Sequence, residues 1–189
     1  MLVICPGVHS PALTQAFLIG LDLSASEALS PRLIFPAHQQ PSYSPVHLLQ
    51  FLNEHLAEQS WSFPKPSSVP LTFLAFSAGV VGAIGAAWAW QQQGGQVRAL
   101  IAIDGWGVPL GGNFPIHRLS HDEFTHQSSV LLGGGDLDCF YADPPVPHLE
   151  LWRSPQTIQG RKTPCADLAP SLTAATFLQS LLRRYRELP

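Results

Sequence analysis

The stretch LTFLAFSAGVVGAIG, residues 71–85, carries no charge and divides at Ser77 into two halves of different character. The first half, residues 71–76, is apolar apart from one threonine, which is typical of a strand buried on both faces. In the second half three glycines recur at a spacing of three, which predicts a helix that lies close to the sheet. The stretch therefore predicts a strand, a sharp turn at Ser77 and a buried helix.

The same alternation of strands and helices extends along the chain on both sides of this stretch. Short apolar runs ended by proline or glycine predict strands, and apolar residues at helical spacing predict the helices between them. The predicted strands are residues 2–5, 32–35, 71–76, 99–103, 130–132 and 149–152, and the predicted helices begin near residues 11, 46, 78 and 166. This order predicts an α/β fold, a three-layer sandwich with a mostly parallel sheet between two layers of helices.

Composition limits the partners that this chain can have. Hydrophobic residues make up 46% of the 189 residues and charged residues 12%, which predicts one buried core and a single domain over residues 1–189. The net charge is -3, and the only basic cluster is the short group Arg183, Arg184 and Arg186, so nucleic acid is not an expected partner. Three cysteines without a CxxC pair predict neither a disulfide framework nor a zinc site, and they favour a cytoplasmic location.

A membrane span is the main alternative interpretation of the apolar centre of the chain. Residues 69–90 carry no charge and are long enough to cross a bilayer. Pro70, Ser77 and the glycines interrupt this run, and an apolar strand followed by a buried helix produces the same hydropathy. We therefore expect no membrane span. The N-terminus lacks the basic segment and the cleavage site typical of a secretory signal, so we expect no such signal either.

The residues around Ser77 have the sizes that a sharp strand-to-helix turn requires. Ala75 and Gly79, two positions before and two after the serine, are both small, and such a turn leaves no room for larger side chains there. The turn would lift the Ser77 hydroxyl clear of the sheet and aim the backbone N–H of Ala78 at a developing oxyanion. The pattern predicts a nucleophilic serine, although a serine that only caps a helix would fit the same residues.

Residues 75–79 resemble the small-x-Ser-x-small elbow of the α/β-hydrolase superfamily, and the order of elements around them resembles its compact, cap-less members, which are frequent in cyanobacteria. Ala75 departs from the commoner Gly-x-Ser-x-Gly pattern. The resemblance implies that Ser77 is the nucleophile and that the N–H groups of Val8 and Ala78 form the oxyanion hole. It also implies that catalysis needs no metal and no organic cofactor.

The resemblance further implies an acid that follows a later strand. Asp136, at the end of the run VLLGGGD that starts at residue 130, is the first candidate. Asp138 lies two residues further on, in the same predicted loop. Asp104 is the third candidate, because it ends a predicted strand at the edge where open α/β sheets bind their ligands. Each of these aspartates would also fit a simple turn or helix cap.

The base is harder to choose, because the superfamily histidine follows the last strand and residues 153–189 contain no histidine. His148 is the first candidate. Its predicted strand follows the previous one after too few residues for a parallel crossover, so an antiparallel last strand would bring His148 to the edge with Ser77. His121 and His126 are alternatives in a polar segment that would also fit a surface linker. These two histidines lack a HExxH pattern, so we expect no metal site.

These features together predict a small serine hydrolase. Ser77, Asp136 and His148 keep the superfamily order of nucleophile, acid and base. The low charge of the chain and its aromatic residues favour a small neutral or apolar ester or thioester as the acyl substrate. A protein with the same fold that has lost catalysis and serves as a binding or assembly module is the alternative, because no histidine follows the last predicted strand.

Overall fold

The computed structural model of the protein describes residues 1–23, 32–58, 69–134, 137–164 and 171–189. Within these ranges the chain forms eight strands and six helices. The strands are β1 (Leu2–Cys5), β2 (Arg32–Ile34), β3 (Leu71–Phe76), β4 (Val97–Ile103), β5 (Ile116–Ser120), β6 (Cys139–Ala142), β7 (Gln159–Thr163) and β8 (Leu172–Thr173). The helices are α1 (Pro11–Gly20), α2 (Pro45–Glu58), α3 (Ala78–Gln92), α4 (Glu123–Val130), α5 (His148–Arg153) and α6 (Ala174–Arg184).

The strands pair into one sheet in the order β2-β1-β3-β4-β5-β6-β7-β8. All pairs from β2 to β6 are parallel, and β7 and β8 run antiparallel to their neighbours. Helices cover both faces of the sheet. The predicted fold class, a three-layer α/β sandwich with a mostly parallel sheet and an antiparallel end, is therefore confirmed.

The two faces of β3 explain why this strand contains no charge. Phe73 and Ala75 belong to a core cluster formed with α2 and α3 on one side of the sheet. Leu74 and Phe76 belong to a second cluster formed with α1, α5 and α6 on the other side. Because every residue of β3 is buried, a charged side chain would have to be desolvated on either face.

Within the described ranges, no helix combines the length and the apolar character that crossing a bilayer requires.

The first turn of α3 lies directly against the end of β1. A Cβ atom added at Gly79 would overlap the carbonyl oxygens of Cys5 and Pro6, at 2.6 Å from the latter. These are backbone atoms of the central sheet and of the turn that follows β1, so they cannot move aside cheaply. Gly79 is therefore needed for the close approach of α3 to this turn.

The other two glycines of α3 do not serve the close packing on the sheet that was predicted. A Cβ at Gly82 would overlap the carbonyl oxygen of Ser42, and one at Gly85 would overlap the ring of Pro45. Both neighbours belong to the chain that enters α2. These glycines therefore allow α3 to pack against the start of α2, on the side away from the strands.

The predicted elements of the C-terminal half were partly wrong. Residues 130–132 are the end of α4 and the turn after it, and residues 149–152 lie within α5, so neither segment is a strand. The predicted C-terminal helix over residues 166–188 is shorter: α6 begins at Ala174, after the short strand β8, and residues 165–170 lie outside the described ranges. The strands that occupy this half of the sheet are β5, β6, β7 and β8.

Strand β5 escaped prediction because three residues of its sequence IHRLS, a histidine, an arginine and a serine, are polar although all five are buried. His117 Nδ1 donates to the carbonyl oxygen of Asp138 at 2.6 Å, and its Nε2 lies 2.7 Å from the Tyr185 hydroxyl. Arg118 Nε donates to the carbonyl oxygen of Gly133 at 2.6 Å. Buried polar groups are stable only when they are hydrogen-bonded, and here the partners come from distant segments. No local pattern could reveal them.

Substituting Gly79 tests the contact between α3 and β1. We expect Gly79→Ala to lower the free energy of unfolding by about 1–3 kcal/mol, because the added methyl group overlaps backbone atoms. Gly111→Ala is the matched control, since a Cβ there meets no atom within 4 Å. Urea denaturation followed by circular dichroism measures both variants. Equal midpoints for the two variants would show that this contact does not limit the packing.

Candidate active site

Four loops meet at one edge of the sheet because β3, β4, β5 and β6 are parallel. Their carboxyl ends point the same way, and open α/β sheets bind ligands at this edge. Ser77 follows β3 directly, Asp104 follows β4 and His121 follows β5. A short loop after β6 leads to His148, the first residue of α5. Residues far apart in the sequence therefore converge above the ends of neighbouring strands.

Ser77 adopts a backbone conformation that is unfavourable for any residue except glycine. Its φ is 53° and its ψ is -124°. Two hydrogen bonds hold it there: the Ser77 N–H donates to the carbonyl oxygen of Ile103 at 2.9 Å, and the N–H of Val80 donates to the Ser77 carbonyl oxygen at 3.0 Å. The predicted strand, sharp turn and helix are thus present. This strained turn between a strand and a helix, with a serine at its apex, has the geometry of the nucleophile elbow that the sequence predicts.

His148 lies between Ser77 and Asp104 and reaches both. Its Nε2 is 3.2 Å from the Ser77 Oγ, and its Nδ1 is 2.9 Å from the Asp104 Oδ2. With Nδ1 protonated and donating to the carboxylate, the Nε2 lone pair accepts the hydrogen bond from the Ser77 hydroxyl. The imidazole also stacks on the ring of Phe76, with centroids 4.7 Å apart and an interplanar angle of 20°. This stacking and the carboxylate together orient the imidazole toward Ser77.

Asp104 is buried and holds its charge through hydrogen bonds. Its side chain is 1% exposed, and besides His148 it accepts from the backbone N–H of His121 at 2.9 Å and from His121 Nδ1 at 3.0 Å. Burial raises the pKa of this carboxyl, but the hydrogen bonds from His121 and His148 outweigh burial, so the pKa lies below its usual value. The carboxylate is therefore ionised at neutral pH.

His121 lies on the other side of Asp104 and does not contact Ser77 in this arrangement. Its Nδ1 is 3.0 Å from each carboxylate oxygen of Asp104, and its Nε2 is 3.3 Å from Asp122 Oδ2. The hydrogen bond to Asp104 raises the pKa of His121, although burial opposes the change. The structure therefore gives His121 the position of a second donor to the carboxylate, and gives His148 the position next to the serine.

A cavity of about 400 Å³ opens beside the serine. Its lining residues are Ser77, Ala78, Val81, Asp104, Trp106, Val108, His121 and His148. The side chains of Val81, Trp106 and Val108 give it an apolar wall, and Trp106 is 65% exposed with its indole N–H bonded to Ser128 Oγ at 3.2 Å. None of the described residues that line the cavity is lysine, arginine or glutamate.

The turn after β1 lies against the serine from the other side. A Cβ added at Gly7 would be 3.0 Å from the Ser77 Cβ and 3.1 Å from the carbonyl oxygen of Phe76. Val8, the next residue, is 75% exposed, and Ala78 is the first residue of α3. Ala78 therefore adjoins Ser77 along the chain, and Val8 follows Gly7, the residue of the turn that lies against Ser77. Their role as N–H donors stays a prediction.

The other candidate acids lie elsewhere or outside the described ranges. Asp138 directly precedes β6, so it lies at the amino edge of the parallel strands, opposite Ser77. It forms ion pairs with Lys162 at 3.1 Å and Arg184 at 2.6 Å. Asp136, the first candidate, lies outside the residues that the structure describes. The carboxylate that contacts His148 belongs to Asp104, the third candidate.

His126, the remaining candidate base, is packed inside the protein. It is 3% exposed, its Nε2 is 3.2 Å from Thr163 Oγ1, and its ring stacks near Tyr141 with centroids 5.5 Å apart. Burial, and to a smaller extent the charge of Arg118, lower its pKa to about 4. His126 is thus a neutral packing residue at neutral pH, and it does not line the cavity beside Ser77.

The sequence prediction chose His148 for a structural reason that was wrong. His148 does not begin an antiparallel strand. It begins α5, and the strand before it, β6, is parallel to β5. The loop between β6 and α5 starts at the same edge as Ser77, so it needs no reversed strand to deliver the imidazole. The signal for Asp104 was available, since it follows an apolar strand directly, as Ser77 does.

No protein-family model and no curated protein sequence matches this chain. The fold and the geometry around Ser77 are therefore the features that bear on its class. An α/β fold with a mostly parallel eight-stranded sheet over the described residues is compatible with a hydrolase-like fold.

Substituting His126 tests its burial as a neutral imidazole. Between its ordinary pKa of 6.5 and about 4, the unfolded chain binds a proton at His126 that the folded protein excludes. The free energy of unfolding should therefore fall as the pH falls through this window, by up to about 3 kcal/mol from this group. We expect His126→Gln to remove most of this dependence and His38→Gln, at an exposed histidine, to leave it unchanged. Urea denaturation across the window measures the slopes, and equal slopes in the two variants would contradict the assignment.

Proposed function

We propose that this protein is a serine hydrolase that cleaves a small neutral or apolar ester or thioester through an acyl-enzyme on Ser77. The observation that carries the proposal is the continuous chain of hydrogen bonds from Ser77 through His148 to Asp104. Its two links, Oγ to Nε2 and Nδ1 to Oδ2, measure 3.2 and 2.9 Å. This is the arrangement of nucleophile, base and acid that activates a serine on unrelated folds.

The reaction would proceed in two acyl transfers. The Ser77 oxygen attacks the acyl carbon while its proton passes to His148 Nε2, and the Asp104 carboxylate stabilises the imidazolium that forms. His148 then gives this proton to the departing alcohol oxygen or thiol sulfur, which leaves the acyl group on Ser77. A water molecule then attacks the acyl-enzyme and loses a proton to His148. His148 returns this proton to the Ser77 oxygen as the bond to the acyl group breaks, which releases the carboxylic acid and restores the free serine.

Backbone N–H groups would stabilise the negative charge on the acyl oxygen. The first N–H groups of a helix have no partner within the helix, and the helix dipole makes them favourable sites for negative charge. Ala78 begins α3 immediately after Ser77, so its N–H is the first donor of the proposed oxyanion hole. Val8, beside the close contact between Gly7 and Ser77, supplies the second.

The cavity supports a neutral or apolar substrate. Its charged or ionisable lining groups are Asp104, His121 and His148, and both histidines hydrogen-bond to Asp104. A charged substrate would therefore find no cation or free anion to pair with in this lining, and it would be desolvated without compensation. Val81, Trp106 and Val108 offer apolar surface to an acyl or alcohol group of moderate size.

Asp104 is the acid in this proposal, in place of Asp136. It contacts His148 directly, it is ionised, and it lies between the serine and the histidine in the sequence, so the superfamily order of nucleophile, acid and base is kept. The interpretation as a binding or assembly module without catalysis remains the alternative, and the following experiment separates the two.

A fluorophosphonate probe tests whether Ser77 is a reactive nucleophile. We expect the protein to be labelled on the peptide that contains Ser77, and we expect Ser77→Ala and His148→Ala to lose labelling because the nucleophile or its base is gone. Ser10→Ala is the control, since Ser10 is exposed and its side chain caps no N–H. A folded protein that is not labelled at any pH tested would support the non-catalytic alternative.

A panel of aspartate variants tests the choice of acid. We expect Asp104→Asn to lower the rate of ester hydrolysis roughly a thousandfold or more, because the amide can no longer stabilise the imidazolium. Asp138→Asn, which breaks ion pairs at the opposite edge, and Asp136→Asn should keep the rate within a few-fold of the unsubstituted protein. Near-ultraviolet circular dichroism shows that each variant is folded. A large loss in Asp136→Asn with little loss in Asp104→Asn would reverse the assignment.

A further inference from the structure

Asp104 accepts hydrogen bonds from two imidazoles, whereas the proposed reaction uses only one. His148 Nδ1 is 2.9 Å and His121 Nδ1 is 3.0 Å from the same oxygen, Asp104 Oδ2. The ligand atoms that Asp104, His121 and His148 offer all lie within 4.8 Å of one another. The proposed mechanism gives His121 no chemical step, so this compact cluster of two nitrogens and one carboxylate needs a further explanation.

We propose that Asp104, His121 and His148 form a reversible Zn²⁺ site whose occupation switches off Ser77; the inhibitory part rests on the proposed function. Two imidazoles and one carboxylate form a donor set that zinc favours, and a fourth position is left for water. Zinc binds such ligands at about 2.0–2.2 Å, which places tetrahedral donor atoms roughly 3.3 Å apart. The two observed N···O separations, 2.9 and 3.0 Å, are close to this spacing. The third pair of ligand atoms, the two imidazole nitrogens, lies within 4.8 Å, so the side chains would close this separation by up to about 1.5 Å on binding the ion.

The surroundings of His121 support metal binding through Nδ1. Its other nitrogen, Nε2, is 3.3 Å from Asp122 Oδ2. A carboxylate on the second nitrogen of a metal-bound histidine fixes the tautomer and orients the ring, and it is a regular feature of zinc sites. Asp122 is itself held in place, because its side chain caps α4 by accepting from the backbone N–H of Thr125. Asp122 would therefore direct the Nδ1 lone pair of His121 toward Asp104.

The cluster is accessible to a metal ion from solvent. The side chains of His121 and His148 are 26% and 41% exposed, and both line the cavity of about 400 Å³ beside Ser77. An ion can enter from this cavity and keep water in the positions that the protein does not fill. Access from the substrate side also means that a bound ion competes with substrate for the same space.

The tautomer of His148 explains how zinc would inhibit without touching the serine. A neutral imidazole carries one proton, and in the active arrangement this proton is on Nδ1. When zinc occupies Nδ1, the proton resides on Nε2, which faces the Ser77 Oγ at 3.2 Å. Nε2 then donates a hydrogen bond and cannot accept the serine proton. His121 would bind zinc through Nδ1 in the same way, with its proton on Nε2, 3.3 Å from Asp122 Oδ2.

Zinc binding can be measured without any enzymatic activity. In the Ser77→Ala protein we expect isothermal titration with Zn²⁺ to show one ion per chain, and His121→Ala added to it should weaken the affinity about tenfold or more. His47→Ala, at an exposed histidine on α2, is the matched control and should leave the affinity unchanged. Asp122→Asn, which retains the capping oxygen, should also weaken zinc binding. It serves as the second test variant in case His121→Ala does not fold. Unchanged affinity in the folded cluster variants, or no binding at micromolar Zn²⁺, overturns the site.

The inhibitory role is tested on the unsubstituted protein. We expect Zn²⁺ to slow labelling of Ser77 by the fluorophosphonate probe and EDTA to restore it, while Mg²⁺ and Ca²⁺, which prefer oxygen ligands, have no effect. Zinc that binds at the cluster but does not slow labelling overturns the switch. A protein that is never labelled in zinc-free buffer contradicts the proposed function, and the titration of Ser77→Ala still decides whether the metal site exists.

Discussion

The parallel hydrogen bonding between β3 and β4 is the constraint on which the site depends. Phe76 is paired with Ile103, so the next residues, Ser77 and Asp104, leave the sheet side by side. Both turn with positive φ, 53° and 50°. Each such conformation costs free energy in a residue other than glycine, and the surrounding structure has to enforce it. The backbone ladder therefore determines the separation of the serine and the aspartate before any side chain contributes.

The histidine between them is held by the aromatic core beneath. The ring of Phe17 stacks on Trp152 at 3.6 Å, Trp152 stacks on Phe76 at 4.9 Å, and Phe76 stacks on His148. This column runs from α1 through α5 to the site. Packing of the helices on that face of the sheet thus orients the imidazole, because a tilted ring would lose both its stacking and its hydrogen bond to Asp104. Stability and site geometry share the same contacts.

The loops after β5 and β6 complete the site as a unit. The N–H of Val146 donates to the carbonyl oxygen of His121 at 3.0 Å, which joins the loop that carries His148 to the one that carries His121. Asp104 accepts from both histidines and is the common partner. Two imidazoles can bind one buried carboxylate either by donating hydrogen bonds to it or through a metal ion that all three groups coordinate. Which of these two arrangements forms determines which nitrogen of His148 carries its proton.

The sequence by itself determined the fold class and the turn at Ser77, because both follow from local patterns. An uncharged strand, a serine between small residues and a run of small residues are readable without knowledge of any partner. Strand β5 was missed because His117 and Arg118 are buried through hydrogen bonds to residues outside the strand, such as Tyr185 for His117 and Gly133 for Arg118. Only the tertiary structure decided which carboxylate meets His148, since Asp104 lies 44 residues before it and the contact exists only after β4 and β6 have joined one parallel sheet.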